Sequence, residues 1–282
     1  MPTAVIGTVR VLPWIRAAHG APALLVTAIG GALAAAAGAG AARTALVASA
    51  VLAGQLSIGW SNDWIDAARD RRSSRRDKPV VADGLDPAAL RRAALGALPL
   101  CAVLSLAAGW VAGGAHLVAV CLAWAYNARL KATWWSWAPY AGAFGLLPLF
   151  AVLGGTGQVP AGWVVLAGAL LGTGAHVANV LPDLADDEAA GVRGLPHRLG
   201  RRASGALAPG LLLTGTAVAV LGPGGSPSSA AIAVGLLAAA VALVAGVGAA
   251  VIVRRRLPFV ASMVVALCCV AAMVLGGADL TA

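Results

Sequence analysis

The stretch Asn62-Asp63-Trp64-Ile65-Asp66-Ala67-Ala68-Arg69-Asp70 places three carboxylates and an amide in a chain otherwise nearly free of acid. A second cluster, Asp183-Leu184-Ala185-Asp186-Asp187 followed by Glu188, holds four more carboxylates. Together these two segments carry seven of the eleven acidic residues in 282. Each follows a long uncharged run. Carboxylates at the edge of lipid-soluble segments are costly to keep there, so they mark function rather than packing.

The rest of the composition says what those runs are. Sixty per cent of the residues are hydrophobic, mean hydropathy is +0.86 and 11% are charged, against about 25% charged in a soluble domain. The uncharged runs are Ala17 to Ala42, Thr44 to Asn62, Ala93 to Asn127, Ala132 to Pro182, Ala203 to Val253 and Leu257 to Ala278. A membrane helix needs about 20 apolar residues, so the two longest runs hold two spans each. Turn signals divide them at Gly154-Gly155-Thr156-Gly157-Gln158-Val159-Pro160 and Gly222-Pro223-Gly224-Gly225-Ser226-Pro227, and Gly109 to Gly114 divides Ala93 to Asn127. The reading is an all-α integral membrane protein with nine transmembrane helices, at 17–41, 44–63, 87–108, 114–128, 133–153, 161–182, 204–221, 229–252 and 257–277. The apolar part of the first segment is longer than a secretory signal core, so it is kept as a span. No loop is long enough to fold alone, which makes residues 1–282 one membrane-embedded domain.

The positive-inside rule orients this topology. With the N terminus cytoplasmic, 19 of the 20 basic residues fall inside and only Arg43 outside, and ten of the eleven acids are inside, Asp279 being the exception. The formal charge of +9 and the pI near 10.7 follow from that rule and call for no nucleic-acid partner. The expected location is the cell membrane, multi-pass, with the chemistry facing the cytoplasm. Cys101, Cys121, Cys268 and Cys269 lie inside the spans without ligand or redox spacing and read as packing residues.

If the second helix continues through Asp70, a 100° step per residue gathers Asn62, Asp63, Asp66 and Asp70 into an arc of about 100°, with Gln55 two turns before on the same face. The spacing of His176, Asp183 and Asp187, with Asn179 one turn above Asp183, does the same for the sixth helix. Oxygen ligands of this kind suit Mg²⁺, which is held by one or two carboxylates, waters and substrate phosphates. A diphosphate beside so many carboxylates requires bridging metal ions, with cations opposite: Arg75, Arg76 and Lys78 after the first cluster, Arg129 and Lys131 after the fourth helix. Asp77, Asp83, Asp86, Arg91 and Arg92 read as a solvated loop, in which Asp86-Pro87 caps the third helix. His176 is equally well a polar contact between helices or a site residue. His19, His116 and His197 show no ligand spacing. Trp134, Trp135 and Trp137 read as an interfacial belt.

These residues resemble the intramembrane UbiA-type prenyltransferases over most of the chain. The family's N-D-x-x-D-x-x-x-D motif is met at every specified position by Asn62 through Asp70. Asp77-Lys78-Pro79 with Gly84 is similar to its downstream basic-proline-glycine segment. Tyr126-Asn127-Ala128-Arg129-Leu130-Lys131 resembles its tyrosine-to-lysine stretch, and Asp183 to Asp187 with Gly191 and Arg193-Gly194-Leu195-Pro196 its second motif. Gly194 departs from the pattern, standing where threonine is frequent, and Asp186 is an additional acid, which leaves open whether Asp183, Asp186 or Asp187 meets the metal.

The resemblance implies a nine-helix UbiA-like bundle and a Mg²⁺-dependent transferase. Asn62, Asp63, Asp66, Asp70, Asp183 and Asp187 are its expected metal ligands, with Asp66, Asp183 and Asp187 as the catalytic acids. Lys78, Lys131, Arg76, Arg16, Tyr126 and Asn127 are the expected substrate contacts. The implied reaction ionises an allylic prenyl diphosphate and passes the prenyl cation to a small acceptor, typically an aromatic or quinone-precursor ring. Arg75 and Arg76 are open between binding phosphate and binding an acceptor carboxylate. The same ionisation with internal capture would make a terpene cyclase. A cation transporter would instead need acids deep within the spans, whereas these lie at helix ends.

Overall fold

Alternating apolar runs and charged turns fold into an all-helical bundle in this computed structural model, which describes residues 11–72, 78–251 and 257–282. The helices are α1 (Val11–Ala17), α2 (Gly20–Ala36), α3 (Ala41–Arg72), α4 (Pro79–Ala82), α5 (Pro87–Ala107), α6 (Trp110–Ala128), α7 (Ala138–Thr156), α8 (Gly162–Val180), α9 (Leu184–Ala189), α10 (Leu195–Leu221), α11 (Ser229–Val251) and α12 (Leu257–Leu275). Three short 3-10 turns, Leu130–Ala132, Trp134–Trp137 and Leu181–Asp183, join them at one end. Among the described residues eight helices are long and apolar enough to cross a membrane, or nine if the bent pair α1–α2 is one span.

The long helices follow one another around a closed ring. α3 packs on α2, α5 and α6, α7 lies between α6 and α8, α10 joins α8 to α11, and α12 returns to α2. The interior is lined by Val47, Val51, Phe150, Val152, Val164 and Val265, all buried, while Leu24, Trp110, Val103 and Leu236 point outward. That inversion is expected of a lipid-facing surface, where leucine outside costs nothing and small residues let helices close. Gly59 shows the point: a Cβ there would lie 2.5 Å from the Ala18 carbonyl oxygen, so glycine is what lets α3 touch the break between α1 and α2.

Several elements differ from the sequence expectation. The first span is two helices, α1 and α2, bent by 66°, because His19 adopts a left-handed conformation at φ 53. Tertiary contacts hold that uncommon backbone: Trp60 Nε1 donates to the Trp14 carbonyl at 3.1 Å, and their rings meet edge to face at 5.9 Å. α6 begins at Trp110, so the break sits at Gly109, φ 140, rather than across 109–114. α10 begins at Leu195 with a kink at Gly200.

The sixth expected helix does not continue through its aspartates. α8 stops at Val180, Pro182 lies in a 3-10 turn, and Asp183 leaves helical geometry at φ −102, ψ 6. The proline ring removes the hydrogen bond that would have carried the helix on, so His176 and the two aspartates share no single helical face. Cys121 is exposed on the bundle's outer surface, while Cys101 and Cys269 are buried as expected.

α3 runs through Arg72, as the motif spacing requires. At 1.5 Å per residue its 32 residues extend about 48 Å, well past the roughly 30 Å hydrocarbon layer. Its last turns therefore carry the first acidic cluster beyond the apolar layer. The start of α5, the end of α6, the start of α7, the end of α8 and the start of α10 meet at that same end. At the opposite end Arg43 donates to the Ala108 carbonyl at 3.1 Å and to the Gly154 carbonyl at 3.4 Å, satisfying groups that the ends of α5 and α7 leave open.

Candidate active site

Helical periodicity turns Asp63, Asp66 and Asp70 inward from α3, where they are 1%, 7% and 2% exposed. Buried carboxylates need partners, and Asp63 and Asp66 each draw a lysine from outside α3. Asp63 Oδ1 accepts from Lys78 Nζ at 2.8 Å and lies 3.2 Å from His19 Nε2. Its Oδ2 is buried without a hydrogen-bond partner. Asp66 Oδ1 accepts from Lys131 Nζ, and its Oδ2 pairs with Arg69 at 2.5 Å. Arg16, on α1, bridges to Asp83 after α4 at 3.0 Å.

The amide of Asn62 is oriented by its neighbours. Its Nδ2 donates to Asn127 Oδ1 at 3.2 Å, and Asn127 in turn donates to Ser61 Oγ at 2.9 Å and the Ile58 carbonyl at 3.0 Å. The Asn62 carbonyl oxygen is left facing Lys78 Nζ at 3.5 Å. Asn127 thus locks the end of α6 onto α3. Lys131 lies in the turn just beyond α6. Burial pushes its pKa below the usual lysine range, against the pull of Asp66, and the neighbouring Arg69 and Lys78 cations push the same way.

The second cluster arrives from the far side of the ring. Asp187, half-buried on α9, lies with Oδ2 3.5 Å from His197 Nε2. The Gly194 amide donates to His197 Nδ1 at 3.1 Å, so the neutral imidazole carries its proton on Nε2, toward Asp187. The first cluster is thus held by lysines and the second by an imidazole. Among the described residues no three carboxylate, imidazole or thiol groups assemble into a metal cage.

Beside Tyr126 stands an aromatic and polar group on α7 and α8. The Tyr140 ring meets Tyr126 edge to face at 5.1 Å, and His176 lies 4.7 Å from Tyr140 and 5.5 Å from Tyr126. His176 Nε2 is 3.1 Å from Ser136 Oγ, which accepts from the Leu195 amide at 2.8 Å. Ser136 also explains the departure at Gly194. A Cβ on Gly194 would lie 2.6 Å from the Lys131 carbonyl oxygen and 2.8 Å from Ser136 Oγ.

Reasoning from sequence missed His19, Ser136, Tyr140 and His197. None shares a spacing with the motifs, since each reaches the site from another element. Arg75, Arg76 and Asp77 lie outside the described residues, as do Arg254 to Arg256. Asp86 caps α5, accepting from Ala88 and Ala89 amides at 2.9 and 3.2 Å. Trp134 and Trp135 are exposed at the edge of the bundle, as belt residues are.

No curated protein sequence matches the chain. Solved structures do match its fold. A UbiA homolog from Aeropyrum pernix K1 superposes with a TM-score of 0.74 at 15% identity, over 90% of this chain and 98% of that one. A UbiA homolog from Archaeoglobus fulgidus bound to GPP and Mg²⁺ gives 0.73 at 15% identity, over 92% and 97%. A digeranylgeranylglyceryl phosphate synthase gives 0.68 at 16%, over 95% and 98%. The sequence model of the UbiA prenyltransferase family matches residues 24–257, and the chain belongs to that family.

Proposed function

We propose that this protein transfers a prenyl group from an allylic prenyl diphosphate to a small acceptor, an aromatic or quinone-precursor ring, with Mg²⁺ and release of diphosphate. The observation that carries this reading is the pair of buried carboxylates on α3, Asp63 and Asp66, each holding a lysine, Lys78 and Lys131. Related folds hold GPP or DMAPP together with Mg²⁺.

The residues fit the metal. Asp63 Oδ2 is a buried carboxylate oxygen without a partner, and the Asn62 carbonyl is presented by the locked amide. Mg²⁺ is held by one or two carboxylates, with substrate phosphates and water completing its coordination. Asn62, Asp63, Asp66 and Asp70 from α3, and Asp183 and Asp187 from the far side, are the residues that would hold it. Bound there, Mg²⁺ supplies Lewis-acid stabilisation of the leaving diphosphate.

The chain's own groups do the rest. Lys78, Lys131, Arg16 and Arg76 supply positive charge to the diphosphate, so the carbon–oxygen bond breaks toward an allylic cation with the electron pair on the leaving group. For Lys131 this requires moving from Asp66 to the substrate. Asn127 holds Asn62 in register, and the phenyl and imidazole groups beside Tyr126 form a wall that keeps water from the cation. Membrane orientation follows the basic residues, with the N terminus and this site cytoplasmic, and the chain acts as one domain.

The test is product analysis with purified protein in lipid, Mg²⁺, allylic diphosphates of several lengths and a panel of phenols. Prenylated phenol with stoichiometric diphosphate supports the reading. Hydrocarbon formed without any acceptor would replace it with a cyclase.

A further inference from the structure

Three of the long apolar helices end or begin together at the active-site end of the bundle. α6 stops at Ala128 and is followed by Arg129, the next apolar segment begins at Trp134, and α10 begins at Leu195 and carries Arg198, Arg201 and Arg202 in its first turns. These segments are locked to one another. The Leu195 amide donates to Ser136 Oγ at 2.8 Å, and a Cβ on Gly194 would lie 2.6 Å from the Lys131 carbonyl oxygen. All four arginines are exposed, and Trp134 and Trp135 are 54% and 62% exposed. Cations and indoles that stand together where apolar helices end lie at the depth of lipid headgroups.

One contact gives this patch a geometry that membrane orientation does not require. The Arg198 guanidinium carbon lies over the Trp134 ring, 5.6 Å from its centroid, and Arg198 Nε donates to the Arg193 carbonyl at 3.2 Å. The ring face and the carbonyl together hold the guanidinium in place, and with Nε occupied its two terminal nitrogens form the fork that meets phosphate oxygens in pairs. Leu199, 38% exposed, offers apolar surface beside it, just before the kink at Gly200. Arg193 already has Glu188 at 3.7 Å and stands outside the patch. We propose that this surface binds the phosphate of an anionic membrane phospholipid, with Arg198 as the stacked fork, Arg129, Arg201 and Arg202 as the surrounding charge, and Trp134 and Trp135 at headgroup level. Charge selects the lipid: a choline headgroup would bring its own cation to four arginines, whereas a glycerol headgroup brings none. The assignment does not depend on prenyl transfer.

The experiment reads tryptophan fluorescence of the full chain in phosphatidylcholine vesicles doped with dibrominated phosphatidylglycerol or, separately, dibrominated phosphatidylcholine. In wild type the anionic lipid should reach half-maximal quenching at a mole fraction at least about fivefold lower, the ratio that a single arginine near an anionic surface supports. Raising NaCl to about 0.5 M should erase most of that difference. Trp134→Phe combined with Trp135→Phe should remove it, which assigns it to this patch rather than to the other tryptophans. Arg198→Gln should raise the half-quenching mole fraction of phosphatidylglycerol about fivefold and leave quenching by phosphatidylcholine unchanged, because the indoles still lie in the bilayer. Arg198→Lys keeps the charge without the planar fork and should recover only part of the loss. Equal quenching by the two lipids in wild type, a preference that survives Arg198→Gln, or full recovery by Arg198→Lys overturns the proposal.

Discussion

Lys78 Nζ donates to Asp63 Oδ1 at 2.8 Å, with the two side chains 15% and 1% exposed. The same oxygen is 3.2 Å from His19, so one carboxylate ties the elbow before α2, the end of α3 and the start of α4. Replacing Asp63 by Asn keeps its shape and removes its charge. Removing one member of a buried pair costs about 3–5 kcal/mol, and a loss of that size is expected in reversible unfolding. Affinity for an unreactive prenyl diphosphate analogue should fall as well, because Lys78 would no longer be held. Unchanged stability and affinity would show that the pair is incidental.

Gly194→Thr restores the residue frequent in the family and should be harmful here. Its Cβ would meet the Lys131 carbonyl and Ser136 Oγ, and overpacking of this kind costs about 1–3 kcal/mol. Adding Ser136→Gly should recover part of the loss, since it clears one of the two contacts. A thermal-melt double-mutant cycle reads the coupling directly, and strictly additive effects would refute it.

His197 should set the Mg²⁺ requirement through Asp187. Loss of a partner that orients a metal ligand typically costs 10–100-fold in metal affinity. His197→Ala should therefore raise the Mg²⁺ concentration for half-maximal analogue binding by at least tenfold. His197→Gln, which retains an N–H near the Nε2 position, should recover much of it. Equal Mg²⁺ requirements in all three proteins would remove His197 from the site.

Arg43 supplies a contrast at the other end of α3. It stands 23 residues from Asp66, about 34 Å along the helix. Arg43→Met leaves the Ala108 and Gly154 carbonyls without this donor and should cost about 1–3 kcal/mol of stability. At temperatures where it is folded, its KM and kcat should match wild type. A changed KM would mean that the two ends are coupled.

Much of this arrangement was legible from residues alone, and the exceptions have local causes. The first acidic face was readable because its spacing follows helical turns and no breaker interrupts α3 before Arg72. The second was misread as one helix because Pro182, which carries the breaking signal, lies between His176 and the aspartates. Nothing in the sequence marks His19 as a left-handed residue; that backbone is held by packing of α1 on α3. Ser136 and His197 were invisible for a related reason, since their meaning depends on Gly194 and Leu195 amides brought to them by the fold. Periodicity reveals groups that share a helix, and this site is assembled across several.

Asp66 and Asp187 are proposed to serve one diphosphate from opposite sides. This shared role is tested most directly by diphosphate release from an allylic prenyl diphosphate, measured in lipid with hydroquinone for wild type, Asp66→Ala, Asp187→Ala and the double variant. The account predicts Mg²⁺-dependent release that either single substitution lowers at least about 100-fold, with the double variant little worse than the singles, since groups acting as a unit are not additive. Full release in either single variant, or independent multiplicative losses, would contradict it.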